Sequence, residues 1–202
     1  MMENIDTSDD TRYEVAALEQ RLMEKERVIE HLLQQIATSE VDELTGLRNR
    51  RWLRRWWENL ESLGRVDITV CAVALMDLDR FKEVNDTYGH GAGDQVLCHV
   101  AAILMSSGCY VVRTGGDEFL ILIPTGIDPG AAMTSIAANI GRPMSVRRTD
   151  GVDVTVTIGT SIGATPIMPG AALHTMIGIA DKTMYETKGQ SDGPRWRLVP
   201  LA

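Results

Sequence analysis

Cysteine is scarce: Cys71, Cys98 and Cys109 are the only three in 202 residues. They lie far apart in apolar segments, with neither CxxC spacing nor a paired count, which excludes a thiolate zinc site and a disulfide framework. Buried free thiols in a reducing cytoplasm are expected. Long apolar runs are also missing. The longest, residues 68–76, contains Thr69 and falls far short of the roughly 20 residues a membrane helix needs. The first ten residues, MMENIDTSDD, are acidic and hold no apolar signal core, so neither export nor a membrane partner is expected. A basic excess is lacking too. A formal net charge of −8 and a pI near 5.0 argue against binding a nucleic-acid backbone, but not against a single nucleotide held by a few cations. No repeat or low-complexity tract occurs. Of four histidines, only His90 lies in a Gly/Asp-rich stretch; His31, His99 and His174 fall in helical patterns and are expected to be structural.

What is present is a soluble composition, 44% hydrophobic and 24% charged, long enough for one domain and an appendage. Residues 1–13 are polar and acidic and are expected to be flexible. From residue 14 to residue 40, Val15, Leu18, Leu22, Lys25, Ile29, Leu32, Ile36 and Ser39 alternate three and four apart, which is heptad a/d spacing. So narrow an apolar stripe needs a partner. A parallel coiled-coil homodimer is the leading reading; a lone helix packed back on the following domain is the other. Lys25 in the seam would cost stability and set register.

Residues 41–202 read as the globular domain. Residues 41–51, VDELTGLRNRR, interrupt the heptads, and an amphipathic helix with Trp52, Trp56 and Trp57 follows, its tryptophans expected as core or interface anchors. Residues 68–76 read as a buried central strand ending in Asp77-Leu78-Asp79. Residues two apart in a strand share a face, so Asp77 and Asp79 can point together and form a hard-oxygen site of the kind Mg²⁺ prefers. A helix is expected from residue 80 to about 88, and a second over residues 95–105 with Asp94 as its N-cap. Residues 129–140 and 171–188 read as helices, 152–164 as one or two strands, and the tail, residues 189–202 with Pro194, Trp196 and Leu198, as a final edge strand.

Residues 111–124, VVRTGGDEFLILIP, read as a β-hairpin. Gly115 and Gly116 permit a turn with positive φ and leave bare backbone beside Asp117 and Glu118. Such a turn suits a polyphosphate and a divalent cation. It also suits an ordinary surface turn whose acids keep it soluble, and the hairpin alone does not separate the two.

Four segments together resemble the GGDEF family of diguanylate cyclases: DELTGLRNR at 42–50, MDLDRFKEVNDTYGHGAGDQVL at 76–97, GGDEF at 115–119 and ADKTMYETK at 180–188. The resemblance spans about 40 to 190. It implies an α/β (α+β) fold of nucleotidyl-cyclase palm type, with a mostly antiparallel central sheet flanked by helices and preceded by the coiled-coil helix. It implies condensation of two GTP into cyclic di-GMP, by a homodimer with one GTP in each half-site. Asp77, the Leu78 carbonyl and Asp117 correspond to ligands of Mg²⁺ or Mn²⁺, two ions per active site. Asp117 corresponds to the proton acceptor, with Glu118 sharing that role or binding a second metal, and Lys82 to a phosphate-charge stabiliser. Asn85 and Asp94 correspond to the guanine readers, with His90 near ribose or base. Arg80, Phe81, Gly115, Gly116 and Lys188 correspond to further nucleotide contacts.

The chain departs from the family at several places. Many relatives carry an inhibitory RxxD product site where this chain has Ser106, Ser107, Gly108 and Cys109, so strong product inhibition there is not expected. Thr114 stands where Tyr or Phe is common. After Lys188 the family continues Gly-Arg, whereas this chain reads GQSDGPR, leaving a triphosphate contact missing or moved to Arg195. The alternatives to an active cyclase are a catalytically weak GTP-binding regulatory module and a coiled-coil scaffold with a structural palm. A regulatory protein partner is compatible with all three.

Overall fold

The structure, a computed structural model, describes residues 7–188 and 196–199. The chain divides into two units, Met1–Glu40 and Val41–Ala202. The first is one helix, α1 (Thr7–Ser39), which begins at Thr7 rather than near residue 14. Its 33 residues span about 50 Å at 1.5 Å each. Val15, Leu18, Leu22, Ile29 and Leu32 are all 48% exposed or more, so the heptad stripe stands open in the single chain. No helix among the described residues is long and apolar enough to cross a membrane.

The second unit opens with β1 (Arg48–Asn49) and α2 (Arg50–Ser62). Asn49 caps α2, its side-chain oxygen accepting from the N–H groups of Arg51 and Trp52 at 2.9 and 3.2 Å. A short α3 (Val66–Thr69) then delays the start of the central strand, β2 (Val70–Asp79). Next come α4 (Phe81–Tyr88), α5 (His90–Met105), β3 (Tyr110–Gly115), β4 (Glu118–Pro124) and α6 (Pro129–Ile140). β5 (Met144–Arg147) and β6 (Asp153–Val156) form a separate two-stranded hairpin. β7 (Gly159–Pro166), α7 (Leu173–Thr187) and β8 (Trp196–Leu198) complete the described fold.

The main sheet runs β1-β3-β4-β2-β7-β8. Its inner four strands are antiparallel, while β1 and β8 join the edges in parallel. The expected antiparallel sheet covered by helices is therefore present, with parallel edges that the sequence did not suggest. β2 is apolar throughout because both its faces are covered. Ala72, Ala74, Met76 and Leu78 join a core with Val96, Val100 and Leu104 of α5 and with Met133 and Ile136 of α6. Val73 and Leu75 join Leu53 and Trp57 of α2 and Met176, Ala180 and Met184 of α7. α7 lies directly on β7 at Gly163, where a Cβ would come within 2.1 Å of the Ala180 carbonyl and the Met184 nitrogen.

Two expectations are corrected. α5 starts at His90, with Gly89 as its N-cap at φ +90°, so Asp94 lies inside the helix and is not its cap. Cys98 is exposed, and Cys71 and Cys109 are half-buried rather than buried, although burial still pushes both of those thiols up. The three tryptophans of α2 anchor the core as expected: Trp57 is fully buried, and Trp52 and Trp56 pack half-buried against the same cluster, stacked at 5.0 Å, with Tyr110 against Trp56.

Candidate active site

The hairpin turn, which the sequence places over residues 114–117, is shorter in the structure. Gly115 on β3 still pairs with Glu118 on β4, leaving Gly116 and Asp117 as the loop. Gly115 at φ +142° and Gly116 at φ +54° take backbone states that a Cβ disfavours. No atom lies within 4 Å of where either Cβ would sit, so the turn is bare and open.

Arg113 fixes this turn from behind. Its Nε and Nη2 donate to the Gly116 carbonyl at 3.0 and 2.8 Å, and its Nη1 donates to Asp42 Oδ1 at 2.8 Å. Asp42 Oδ1 also accepts from the Thr45 amide and hydroxyl at 2.9 and 2.6 Å. Burial pushes the Asp42 carboxyl up, but hydrogen bonds from Thr45 and Arg113 outweigh it and hold the group below its ordinary value. The DELTG segment is thereby tied to the GGDEF turn across 71 residues of sequence. The sequence carried no sign of this link, because nothing local joins the two positions.

The acids gather at the end of β2. Asp77 stands opposite Glu118 of β4 on one side and Ser161 of β7 on the other, and directly opposed residues in antiparallel strands share a face. The Leu78 amide donates to the Asp117 carbonyl at 3.3 Å, which carries the turn alongside β2. Asp79 Oδ1 accepts from the Ser161 hydroxyl at 2.7 Å. Burial raises the Asp77 carboxyl above its ordinary value, and the neighbouring Asp117 and Glu118 charges add to this. Lys188, the residue closing α7, opposes both effects with its Nζ 2.9 Å from Asp77 Oδ1. Burial pulls the Lys188 ammonium down, but the Asp77 contact outweighs it and raises the group.

At the β2–α4 junction, Arg80 takes left-handed backbone angles (φ 57°, ψ 29°), the only non-glycine among the described residues with positive φ. The reversal at Arg80 lets α4 start one residue after the end of β2, and its first-turn N–H groups, at Phe81 and Lys82, have no acceptor within the helix. Phe81 is half-buried against the core, whereas Arg80 and Lys82 are exposed. Asn85 of α4 rests on Gly93 of α5: a Cβ there would come within 1.9 Å of Asn85 Oδ1. His90 and Asp94 are exposed and one turn apart on α5.

A cleft of about 1220 Å³ opens beside the acids, lined by Asp77, Asp79, Arg80, Glu83, Thr160 and Lys188 among others. Asp117 and Glu118 of the turn lie outside its walls, as do Asn85 and Asp94 at the α4–α5 junction. Among the described residues no group of three or more His, Cys, Asp or Glu side chains converges as a metal cage. Two carboxylates and one main-chain carbonyl are instead the sparse oxygen set with which Mg²⁺ binds when phosphates supply further ligands. Burial is what chiefly raises Asp77; the smaller part that the Asp117 and Glu118 charges add is what a divalent cation would relieve. Arg195 and the rest of the altered stretch after Lys188 lie outside the described residues.

The site is thus a bare glycine turn beside paired carboxylates, on a sheet antiparallel at its centre and backed by helices. Residues 39–193 match the family model described as "Diguanylate cyclase, GGDEF domain". The chain belongs to this family. It is 36% identical over 155 residues to diguanylate cyclase DgcZ of Escherichia coli (strain K12), covering 74% of this chain and 50% of that protein. The chain thus spans about half the length of that relative. Among solved structures, the coiled coil and GGDEF domain of DgcB from Caulobacter crescentus, in complex with c-di-GMP, superposes with a TM-score of 0.76 at 28% identity. That match covers 91% of this chain and 98% of the other. Diguanylate cyclase SiaD from Pseudomonas aeruginosa, in complex with its activator SiaC, gives a TM-score of 0.70 at 28% identity, over 97% of this chain and 76% of that one.

Proposed function

We propose that this chain is a diguanylate cyclase, acting as a homodimer with one GTP in each half-site. The observation that carries the reading is the meeting of Asp77, Asp117, Glu118 and Lys188 at one bare-backbone turn. In the reaction the 3′-oxygen of one GTP attacks the α-phosphorus of the other. The bond from that phosphorus to the bridging oxygen breaks and pyrophosphate leaves; the same step in the opposite sense closes the ring.

Asp117 takes the proton of the attacking 3′-hydroxyl, with Glu118 beside it on β4. Lys188 and the first-turn amides of α4 receive the triphosphate, since the N-terminus of a helix favours anions. Arg80 and Lys82, both exposed, add positive charge at the same end. Gly115 and Gly116 let the phosphates approach the backbone. Asn85 and Asp94 read guanine: an aspartate accepting from N1–H and the 2-amino group rejects adenine, which lacks that donor pair. His90 lies between them. Asp77, the Leu78 carbonyl and Asp117 would hold Mg²⁺ or Mn²⁺, two ions per site, which would neutralise phosphate charge and favour ionisation of the hydroxyl.

One domain holds one substrate, so two must face each other. The open stripe of α1 suits a parallel coiled coil that raises their effective concentration. A coiled coil is also part of the DgcB structure, and SiaD is known with an activator, which supports a regulatory protein partner here. Substituting Asp117→Ala tests the reading: GTP consumption and cyclic di-GMP should both stop while the fold is kept, and an unchanged product yield would overturn it.

A further inference from the structure

The β5–β6 hairpin belongs to neither edge of the main sheet, and a two-stranded hairpin is marginal by itself. Two devices hold it. Its underside, Met144, Val146 and Val156, is buried in the core with α5. Its outer end is held by Gln95, the residue after Asp94. Gln95 Oε1 accepts from the Arg147 amide at 2.9 Å, and Gln95 Nε2 donates to the Arg147 carbonyl at 2.9 Å. The side-chain amide thus completes both backbone bonds of Arg147, as a neighbouring strand would. The same Nε2 donates to the Gly91 carbonyl at 2.9 Å, inside the first turn of α5.

Just beyond Arg147 the chain lays Thr149 on Gly89. A Cβ at Gly89 would come within 2.3 Å of Thr149 Oγ1, and φ there is +90°. Gly89 is at once the C-cap of α4 and the N-cap of α5, so it sets the distance between Asn85 on one helix and Asp94 on the other. The junction is therefore gripped on two sides, with Asn85 seated on Gly93 within and Thr149 pressing on Gly89 from without. Gln95 anchors the outer grip to the helix that carries Asp94.

We propose that Gln95 is a positioning residue for nucleotide selection, acting through the β5–β6 hairpin and Thr149 to hold the spacing of Asn85 and Asp94 that distinguishes guanine from adenine. This rests on the reading of those two residues as base readers. The hairpin then sets the affinity and base preference of the site without touching the reacting atoms.

The test uses the full chain, with fluorescent N-methylanthraniloyl-GTP and N-methylanthraniloyl-ATP as binding probes and GTP turnover measured beside them. Gln95→Leu removes all three hydrogen bonds and leaves an apolar side chain of similar bulk. It should weaken the GTP probe and raise KM for GTP by about fivefold, with kcat within about twofold. The preference for the GTP probe over the ATP probe should narrow. Gln95→Glu keeps the acceptor for the Arg147 amide and should fall between wild type and Gln95→Leu. Thr149→Ala should shift preference in the same direction, and adding it to Gln95→Leu should change little more. A purely structural role would lower the active fraction, and with it kcat, leaving KM and base preference alone.

Gln95→Leu and Thr149→Ala chains that bind both probes as the wild type does would overturn the proposal. If Gln95→Leu does not fold, Thr149→Ala alone decides. A wild type that binds the GTP probe selectively but makes no cyclic di-GMP defeats the cyclase reading and leaves the binding arms to judge Gln95. A wild type with no guanine preference defeats both.

Discussion

Lys188 places its ammonium 2.9 Å from Asp77 Oδ1, joining the end of α7 to the end of β2. The lysine is 39% exposed and the aspartate 14%, so the pair spans the rim of the cleft with the acid inside and the cation outside. A cation there moderates the mutual repulsion of the half-buried Asp77, Asp117 and Glu118.

Lys188→Gln loses the charge and keeps a polar side chain. Turnover is expected to fall by roughly tenfold or more, as for other lost charge-stabilising donors at reacting phosphates or oxyanions. Melting temperature should change little, because an exposed ammonium contributes little to stability. Steady-state kinetics with GTP and a thermal melt check both halves.

The Asp42–Arg113 pair makes a pH prediction. Its folded carboxyl lies below the ordinary value, so the pair's contribution is fully present above the unfolded carboxylate range, near about 3.9, and is lost as pH falls through the lower folded value. Arg113 is only 10% exposed, so Asp42→Asn leaves a largely buried guanidinium short of its partner, at a cost of about 2 kcal/mol. Thermal melts from about pH 6 to about pH 3 should show the wild type losing stability toward acid more steeply than the variant. The variant should start lower at neutral pH.

Gly93→Ala separates stability from binding. The new methyl would overlap Asn85 Oδ1, and Phe81 Cζ lies only 3.2 Å away. Alanine is favoured over glycine in a helix by about 1 kcal/mol, which offsets the local shift. The expected outcome is a melting temperature near that of the wild type with GTP affinity reduced by about tenfold, since a hydrogen-bonding base reader is displaced. Calorimetric titration of GTP beside a thermal melt checks it.

The long patterned elements were legible, and the short or distant ones were not. The apolar run of β2 and the Gly-Gly turn announce themselves because burial on both faces and positive φ restrict residue choice. β1, of two residues, and β5, of four, are too short to show a period. Asp94 resembled a helix cap because aspartate is a common one, but a glycine with positive φ five residues earlier had already begun the helix. Cys98 reads as buried from its apolar neighbours, yet in α5 it falls on the outer face. The acids at the site were nameable from motif resemblance. Arg113, Ser161 and Gln95, which bond to the turn, to Asp79 and to the β5–β6 hairpin, were not, since each meets a partner brought near only by the fold.

The open stripe of α1 predicts concentration-dependent catalysis. Deleting residues 1–40 removes the first unit and leaves Val41–Ala202 as a compact body. Specific activity of the shortened chain should fall steeply at low protein concentration and approach that of the full chain at high concentration, because a linked pair meets at an effective concentration of about millimolar. Equal loss at every concentration would contradict a role in pairing.

The most direct measurement is the stoichiometry of the reaction itself. The full chain is incubated with GTP and Mg²⁺, nucleotides are resolved by chromatography, and released pyrophosphate is counted. Two pyrophosphates for each cyclic di-GMP is the predicted result, with none of either from Asp117→Ala. GTP left intact, or converted to GDP and phosphate without a cyclic product, would contradict it.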